Sequence, residues 1–324
     1  MKNGIAALAA GITSLALCAG HVSAQAFPNK PVRLVVPYGA GGAPDVSSRM
    51  IGQKMSETLG QQVVIDNKPG AGGIIAAELV AKSPADGYAL FVADTGHFAI
   101  NPALYPKLPY DPLRDFTPVA TAVSTPLILV ANPTTLAANN VAEMIAAAKA
   151  RPGIPFGSSG NGSPHQLFME MLKQAAGIQL THVPYKGVAQ SVPGILSGDV
   201  AMLFVGITSV KAHVTSGKLR VLAVSTGKRS PLMPEAPTVA EAGGPPLDLA
   251  VSITWLAPTG TPRDAIGRLH QELARTLQNQ DIVQKLNAAG IEVVAAGPEP
   301  TAELIRTDMA KYGKLVRDAN LKVD

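Results

Sequence analysis

The chain has a single cysteine among 324 residues, one tryptophan, and only 4% aromatic residues. Cys18 sits in an apolar segment near the start, so the rest of the chain has no thiol. That excludes a disulfide framework, a cysteine-ligated metal and a cysteine nucleophile from the folded part. Charged residues make up 15% and form no runs, which excludes a basic face of the kind that tracks nucleic acid. There is no H-E-x-x-H, and no two of His97, His165, His182, His213 and His270 stand at metal-ligand spacing. We therefore expect no metal and no other cofactor. Beyond residues 5–17 no apolar stretch is long enough to span a bilayer.

That first stretch reads as a signal for export. Lys2 gives a positive start, residues 5–17 an apolar core, and Val22-Ser23-Ala24 or Ala24-Gln25-Ala26 a small-x-small cleavage site. Leu17 stands before Cys18 where a lipoprotein signal needs a small residue. Removal of residues 1–26 leaves 26 basic and 23 acidic side chains, a net +3, on 298 residues. That length suits two domains. The expectation is an exported, periplasmic, monomeric protein.

What the sequence does contain is glycine at two informative places. Residues 34–36 form an apolar run that ends in Tyr38-Gly39-Ala40-Gly41-Gly42-Ala43-Pro44-Asp45. Val46, Met50, Ile51, Met55 and Leu59 then recur at helical spacing, and Gly60 stops the helix. A strand ending in bare backbone before a helix start is a site for an anion, because amides and the helix dipole point at it. A dinucleotide fingerprint fails at Pro44, and no Walker lysine follows. Residues 62–65 and 89–93 read as further strands and residues 74–82 as a helix, giving the alternation of a doubly wound sheet. Ligands in such sheets sit beyond the strand ends, where Thr95, Gly96 and His97 also fall. Residues 117–123 and 127–130 read as two strands, with the chain crossing between domains near Pro126.

The motif then repeats. A short strand at residues 154–156 runs into Gly157-Ser158-Ser159-Gly160-Asn161-Gly162-Ser163-Pro164-His165, followed by a helix that Gly177 ends. Two helix starts, one per domain, would face each other across a cleft. Ser158, Ser159 and Asn161 would cap the helix and offer hydrogen bonds to a ligand. A G-x-S-x-G elbow fails because Asn161 stands where glycine is needed, so a secreted serine hydrolase using Ser158 and His165 is the rival reading. Residues 251–257 read as a strand returning to the first domain, and helices at 263–277, 282–288 and 302–318 close the chain. Domain 1 is then 27–126 plus 251–324, and domain 2 is 127–250.

With these residues assembled, the whole mature sequence resembles the substrate-binding proteins of tripartite tricarboxylate transporters, the Bug family. The resemblance is carried by residues 30–37 with Gly41, Gly42 and Asp45, by Asp66-Asn67-Lys68-Pro69-Gly70, by residues 108–112, by residues 157–162, by His182-Val183-Pro184-Tyr185-Lys186-Gly187, and by residues 257–262. It implies an α/β type II periplasmic-binding-protein fold, two doubly wound domains with a ligand cleft between them. It also implies capture of a small carboxylate without catalysis and delivery to membrane permease subunits, or presentation to a sensor. The carried-over ligand residues are Tyr38, Gly39, Ala40, Gly41, Gly42, Ala43, Asp45, Thr95, Gly96, His97, Ser158, Ser159, Asn161, His165 and Gly206. Among its departures from the family pattern, Ala43-Pro44 stands where small hydroxylated residues are common, Asp94 precedes Thr95 where a neutral residue is usual, and Phe204-Val205-Gly206 replaces a more polar stretch.

Overall fold

The computed structural model describes residues 27–185 and 187–318; the expected export segment with Cys18, and Lys186, lie outside the described residues. Strand β1 (Val32–Val36) pairs in parallel with β2 (Val63–Asn67) and β3 (Ala89–Asp94). Between them run α1 (Ala43–Leu59) and α2 (Ile74–Ala81). The alternation along β1 separates the two faces. Leu34 and Val36 pack with Ile51 and Met55 of α1, and Val35 packs with Ala76 and Val80 of α2. Helices thus cover both faces, as the doubly wound reading requires. Gly60 at φ 68° ends α1 in the left-handed conformation that a side chain would resist.

The next strand corrects the sequence reading. The two strands expected at 117–123 and 127–130 are one strand, β4 (Phe116–Ala131). Prolines at 118 and 126 suggest breaks because proline cannot donate to a ladder. Here Pro118 lies beside a bulge, and at Pro126 the partner strand changes. Residues 116–126 of β4 pair with β9 (Ala250–Pro258), and residues 127–131 pair with β7 (Met202–Gly206) and β8 (Arg220–Val224). One strand therefore belongs to both lobes. Strand β9 runs antiparallel to β3 and β4, so the first lobe's sheet is mixed rather than wholly parallel.

The second lobe repeats the scheme with α4 (Val141–Ala150), β5 (Ile154–Ser158), α5 (Pro164–Ala176), β6 (Leu180–Pro184), α6 (Val188–Ser197) and α7 (Ile207–Thr215), α3 being the short helix Asn101–Leu104 of the first lobe. Asn140 caps α4, its side chain accepting from the Glu143 amide at 2.8 Å, as the capping-box pattern predicts. After β9 come α8 (Arg263–Leu277), α9 (Gln280–Ala288), β10 (Glu292–Ala296) and α10 (Pro298–Asp318). Strand β10 was not legible as a strand, being five half-exposed residues that pair with one edge of β4 through an irregular register. The second lobe's loop joins the same apolar body: Tyr312 of α10 stacks on Phe168 of α5, both fully buried. Among the described residues no helix is long and apolar enough to cross a membrane.

Candidate functional site

A cleft of about 900 Å³ opens between the lobes, in the size range of small-molecule sites. One wall is the β1–α1 loop. Gly42 is the N-cap of α1 with no side chain capping it, and Pro44 occupies the first turn, where its missing N–H is of no consequence. The amides of Gly42 and Ala43 have no hydrogen-bond partner among the described residues. The facing wall is the β5–α5 loop, where the amides of Ser159 and Asn161 are likewise without a partner among the described residues. Gly42, Ala43, Ser159 and Asn161 all line the cleft.

The structure sorts the sequence-derived residues into two groups. Tyr38, Gly41, Gly42, Ala43, Gly96, His97, Ser159, Asn161, His165 and Gly206 line the cleft. Gly39, Ala40, Asp45, Thr95 and Ser158 are absent from its walls. Asp45 is buried and turned into its own loop. Its Oδ2 accepts from the Gly41 amide at 2.9 Å, its Oδ1 from Asn67 Nδ2 at 2.9 Å, and Arg49 pairs with it at 2.9 Å. Burial pushes this carboxyl's pKa up, but the bonds from Arg49, Gly41 and Asn67 outweigh it and hold it low. The Gly41 amide is thus engaged internally. Thr95 is also a brace: its Oγ1 accepts from the Ser252 amide at 3.0 Å, tying β3 to β9.

The second loop is built differently from the sequence expectation. The helix cap is Ser163, whose hydroxyl accepts from the Gln166 amide, and not Ser158, Ser159 or Asn161. Ser158 Oγ is 2.6 Å from His182 Nε2, and Ser159 Oγ is 2.7 Å from His165 Nδ1. Burial pulls the His165 imidazole down to about 4, against the opposing charge of Asp94, so it is neutral at pH 7. Burial and the nearby Lys173 bring His182 to about 4 as well. Among the described residues no carboxylate pairs with His165, so the Ser159–His165 contact lacks the orienting acid of a hydrolytic triad.

Beneath the first loop Asp94 and His97 are buried and joined to the exposed Tyr38. Tyr38 donates to Asp94 Oδ2 at 2.6 Å, the Gly96 amide donates to Oδ1 at 2.8 Å, and His97 Nδ1 lies 2.7 Å from Oδ1. His97 Nδ1 is also 3.1 Å from the Asp94 amide nitrogen, and one ring nitrogen cannot serve both. The shorter, charge-assisted contact puts the proton on Nδ1. Burial alone would raise the Asp94 carboxyl, yet His97 and the donors around it hold it below the usual range.

The linkage has a definite sign at both groups. His165 is depressed in the fold, so it binds its proton first in the unfolded chain, and stability falls as pH drops from about 6.5 toward 4. Asp94 is depressed too, and its contribution, complete above the ordinary carboxylate pKa, is lost as pH falls through the folded value. Urea titrations from pH 7 to pH 4 should show that slope, and His165→Gln should flatten its upper part. An unchanged slope in that variant would place the titration elsewhere.

Sequence reasoning missed the floor. Thr125, Leu127, Val251 and Ile253 come from the crossing strands β4 and β9, and Ile291 from the turn after α9. A signal existed, since strands that pass between lobes must run under the cleft they separate.

Comparisons with known proteins bear on the family and the fold. The profile of the family described as "Tripartite tricarboxylate transporter family receptor" matches residues 47–321. A UPF0065 protein from the tcbD–tcbE intergenic region of Pseudomonas sp. strain P51 is 37% identical over 322 residues, 97% of this chain and 94% of that one. Protein BugT of Bordetella pertussis is 34% identical, covering 94% of each chain. Among solved structures, an adipate-bound protein of R. palustris is 35% identical with a TM-score of 0.81, covering 91% of this chain and 99% of that one. MatC of Rhodopseudomonas palustris with bound malate is 29% identical with a TM-score of 0.77, covering 90% and 100%.

Proposed function

Since the chain belongs to the tripartite tricarboxylate transporter receptor family, we infer that it captures a small organic acid between its lobes and delivers it to a membrane permease of that type. The single observation carrying this reading is the set of four unpartnered amides, two from each wall, around one cleft. Solved relatives hold adipate and malate, both carboxylates, which supports the class of ligand. The lobes are 27–126 with 251–324, and 127–250, and they close on the ligand through the crossing strands.

The energetics suffice without a cation. A hydrogen bond to a charged group contributes roughly 1.5–3 kcal/mol, so four give about 6–12 kcal/mol gross. Association costs about 4 kcal/mol or more, and a micromolar complex needs about 8 kcal/mol net. The amides, bridging waters and the dipoles of α1 and α5 together reach that range. Ser159 and Asn161 add side-chain donors, while Asp45, Thr95 and Ser158 shape the walls from behind. No chemistry is performed on the ligand, and the protein acts as a monomer in the periplasm after its leader is removed.

A thermal-shift panel of carboxylates tests this reading, with native mass spectrometry of the gently purified protein. A ligand at about 100 times its Kd stabilises by about 2.7 kcal/mol, a Tm rise of roughly 5 °C for a chain of this size. A panel in which no carboxylate raises Tm, with none co-purifying, would overturn it.

A further inference from the structure

The floor of the cleft carries a bias that the amide-lined walls do not. Asp94 ends β3 and pairs directly with Ile253 of β9. Paired residues of an antiparallel ladder project to one face with Cβ atoms about 5 Å apart, so a carboxylate and an apolar side chain share this floor. Leu127, Val251 and Ile291 continue it. Among the described residues lining the cleft there is no lysine or arginine. The polar lining includes neutral hydroxyls: Thr208 and Ser209 in the first turn of α7, and Thr125, whose Oγ1 is buried without a partner among the described residues.

Resting on the carboxylate-capture reading, we propose that Asp94 makes this cleft selective for monoanions: acids with one carboxylate and an uncharged, largely apolar remainder. The walls hold the single carboxylate, and the rest of the molecule lies over the floor. A second carboxylate adds a charge to a cleft whose floor already carries that of Asp94 beside Ile253, with no lysine or arginine among the described lining residues to offset it. The α7 start offers it only about half a positive charge, against a whole negative one. Asp94 holds its charge because three donors, from Tyr38, Gly96 and His97, converge on it. The hydroxyls of Thr125, Thr208 and Ser209 suit a neutral oxygen on the ligand, such as a hydroxyl or carbonyl, as well as water.

Calorimetric titration of the full chain at about pH 8, above the ordinary histidine range, tests this with two matched pairs: hexanoate against adipate, and benzoate against terephthalate. In each pair that binds, the monoanion should bind about tenfold more tightly, the size set by two unit charges roughly 10 Å apart at an effective dielectric of about 20. Asp94→Asn, nearly isosteric and still able to accept from Tyr38, should shrink the difference to about twofold. A dianion that equals or exceeds its monoanion overturns the proposal, and that result needs only the wild-type chain. A full difference persisting in Asp94→Asn overturns the role of Asp94. Binding confined to dianions of other shapes removes monoanion selectivity and leaves carboxylate capture standing. Binding of no carboxylate at all removes both.

Discussion

Replacing Gly73 with alanine should lower stability by about 3 kcal/mol, from roughly 1–2 for a left-handed backbone and 1–3 for overpacking. Gly73 has φ 82°, and a Cβ there would stand 2.0 Å from His97 Nε2 and 3.0 Å from Pro37 Cβ. The imidazole has nowhere to go. His97 is buried, its Nδ1 faces Asp94, and its carbonyl accepts from Tyr110 Oη at 2.7 Å. Carboxylate binding should weaken in parallel, because Asp94 and Tyr38 are joined to the same ring's position. Gly72→Ala is the companion variant: φ is 60°, but the nearest atom is the Tyr105 hydroxyl at 3.0 Å, which can shift. Urea unfolding of both distinguishes the effects. A Gly73→Ala protein within about 1 kcal/mol of wild type would mean that His97 leaves its pocket readily, and that the linkage of Tyr38, Asp94 and His97 is not a fixed part of the site.

The second large effect belongs to Asp45→Ala, and it should appear in affinity more than in stability. The carboxylate fixes the β1–α1 loop by holding the Gly41 amide and Asn67, and Asn67 in turn donates to the Tyr38 carbonyl at 2.9 Å. Its loss orphans the Gly41 and Asn67 donors at about 1–3 kcal/mol each, lessened because the Gly41 amide can turn to water, and releases the half-exposed Arg49 to solvent; about 2 kcal/mol of stability is the expected loss. The free amides of Gly42 and Ala43 then have no fixed direction, and ordering them on binding should cost tenfold or more in Kd, about 1.4 kcal/mol. Asp45→Asn, which keeps an acceptor for Gly41, should recover part of it. Unchanged affinity in Asp45→Ala would show that the first wall does not hold the ligand.

These two residues also mark how far the sequence could be read. The strand, glycine loop and helix around Gly41 were legible because local rules govern each: β-branched apolar residues, bare backbone, proline in the first turn, Gly60 at the stop. The second copy of the motif around Ser159 was legible for the same reasons. The direction of a side chain was not. Asp45 in the first turn of α1 could as well have met a ligand as its own loop, and only the approach of Asn67 from β2 decides it. Ser158 and Thr95 turn away because His182 and Ser252, distant in sequence, take their hydroxyls. Asp94 could be read from the sequence as a residue at a strand end, and its neighbour Ile253 lies 159 positions later and reaches it only through the β3–β9 ladder.

The crossing strands have a consequence for how this chain reaches its fold. The first lobe's sheet has β3 and β4 on either side of β9, so they are joined through Ala250–Pro258 rather than paired with each other. Its apolar layer also requires Leu269 and Leu273 of α8, and the other layer requires Ile305 and Tyr312 of α10. No N-terminal fragment ending before residue 250 contains the completed core of the first lobe, although the apolar cluster of Ile128, Val205 and Val224 in the second lobe is complete by then, and the contacts that finish the first lobe join residues far apart along the chain. Such non-local closure is slow and arrives late. The first lobe of a chain emerging during synthesis therefore stays open until the last quarter of the sequence is available, which is the condition a chain must meet to be threaded through a membrane before it folds.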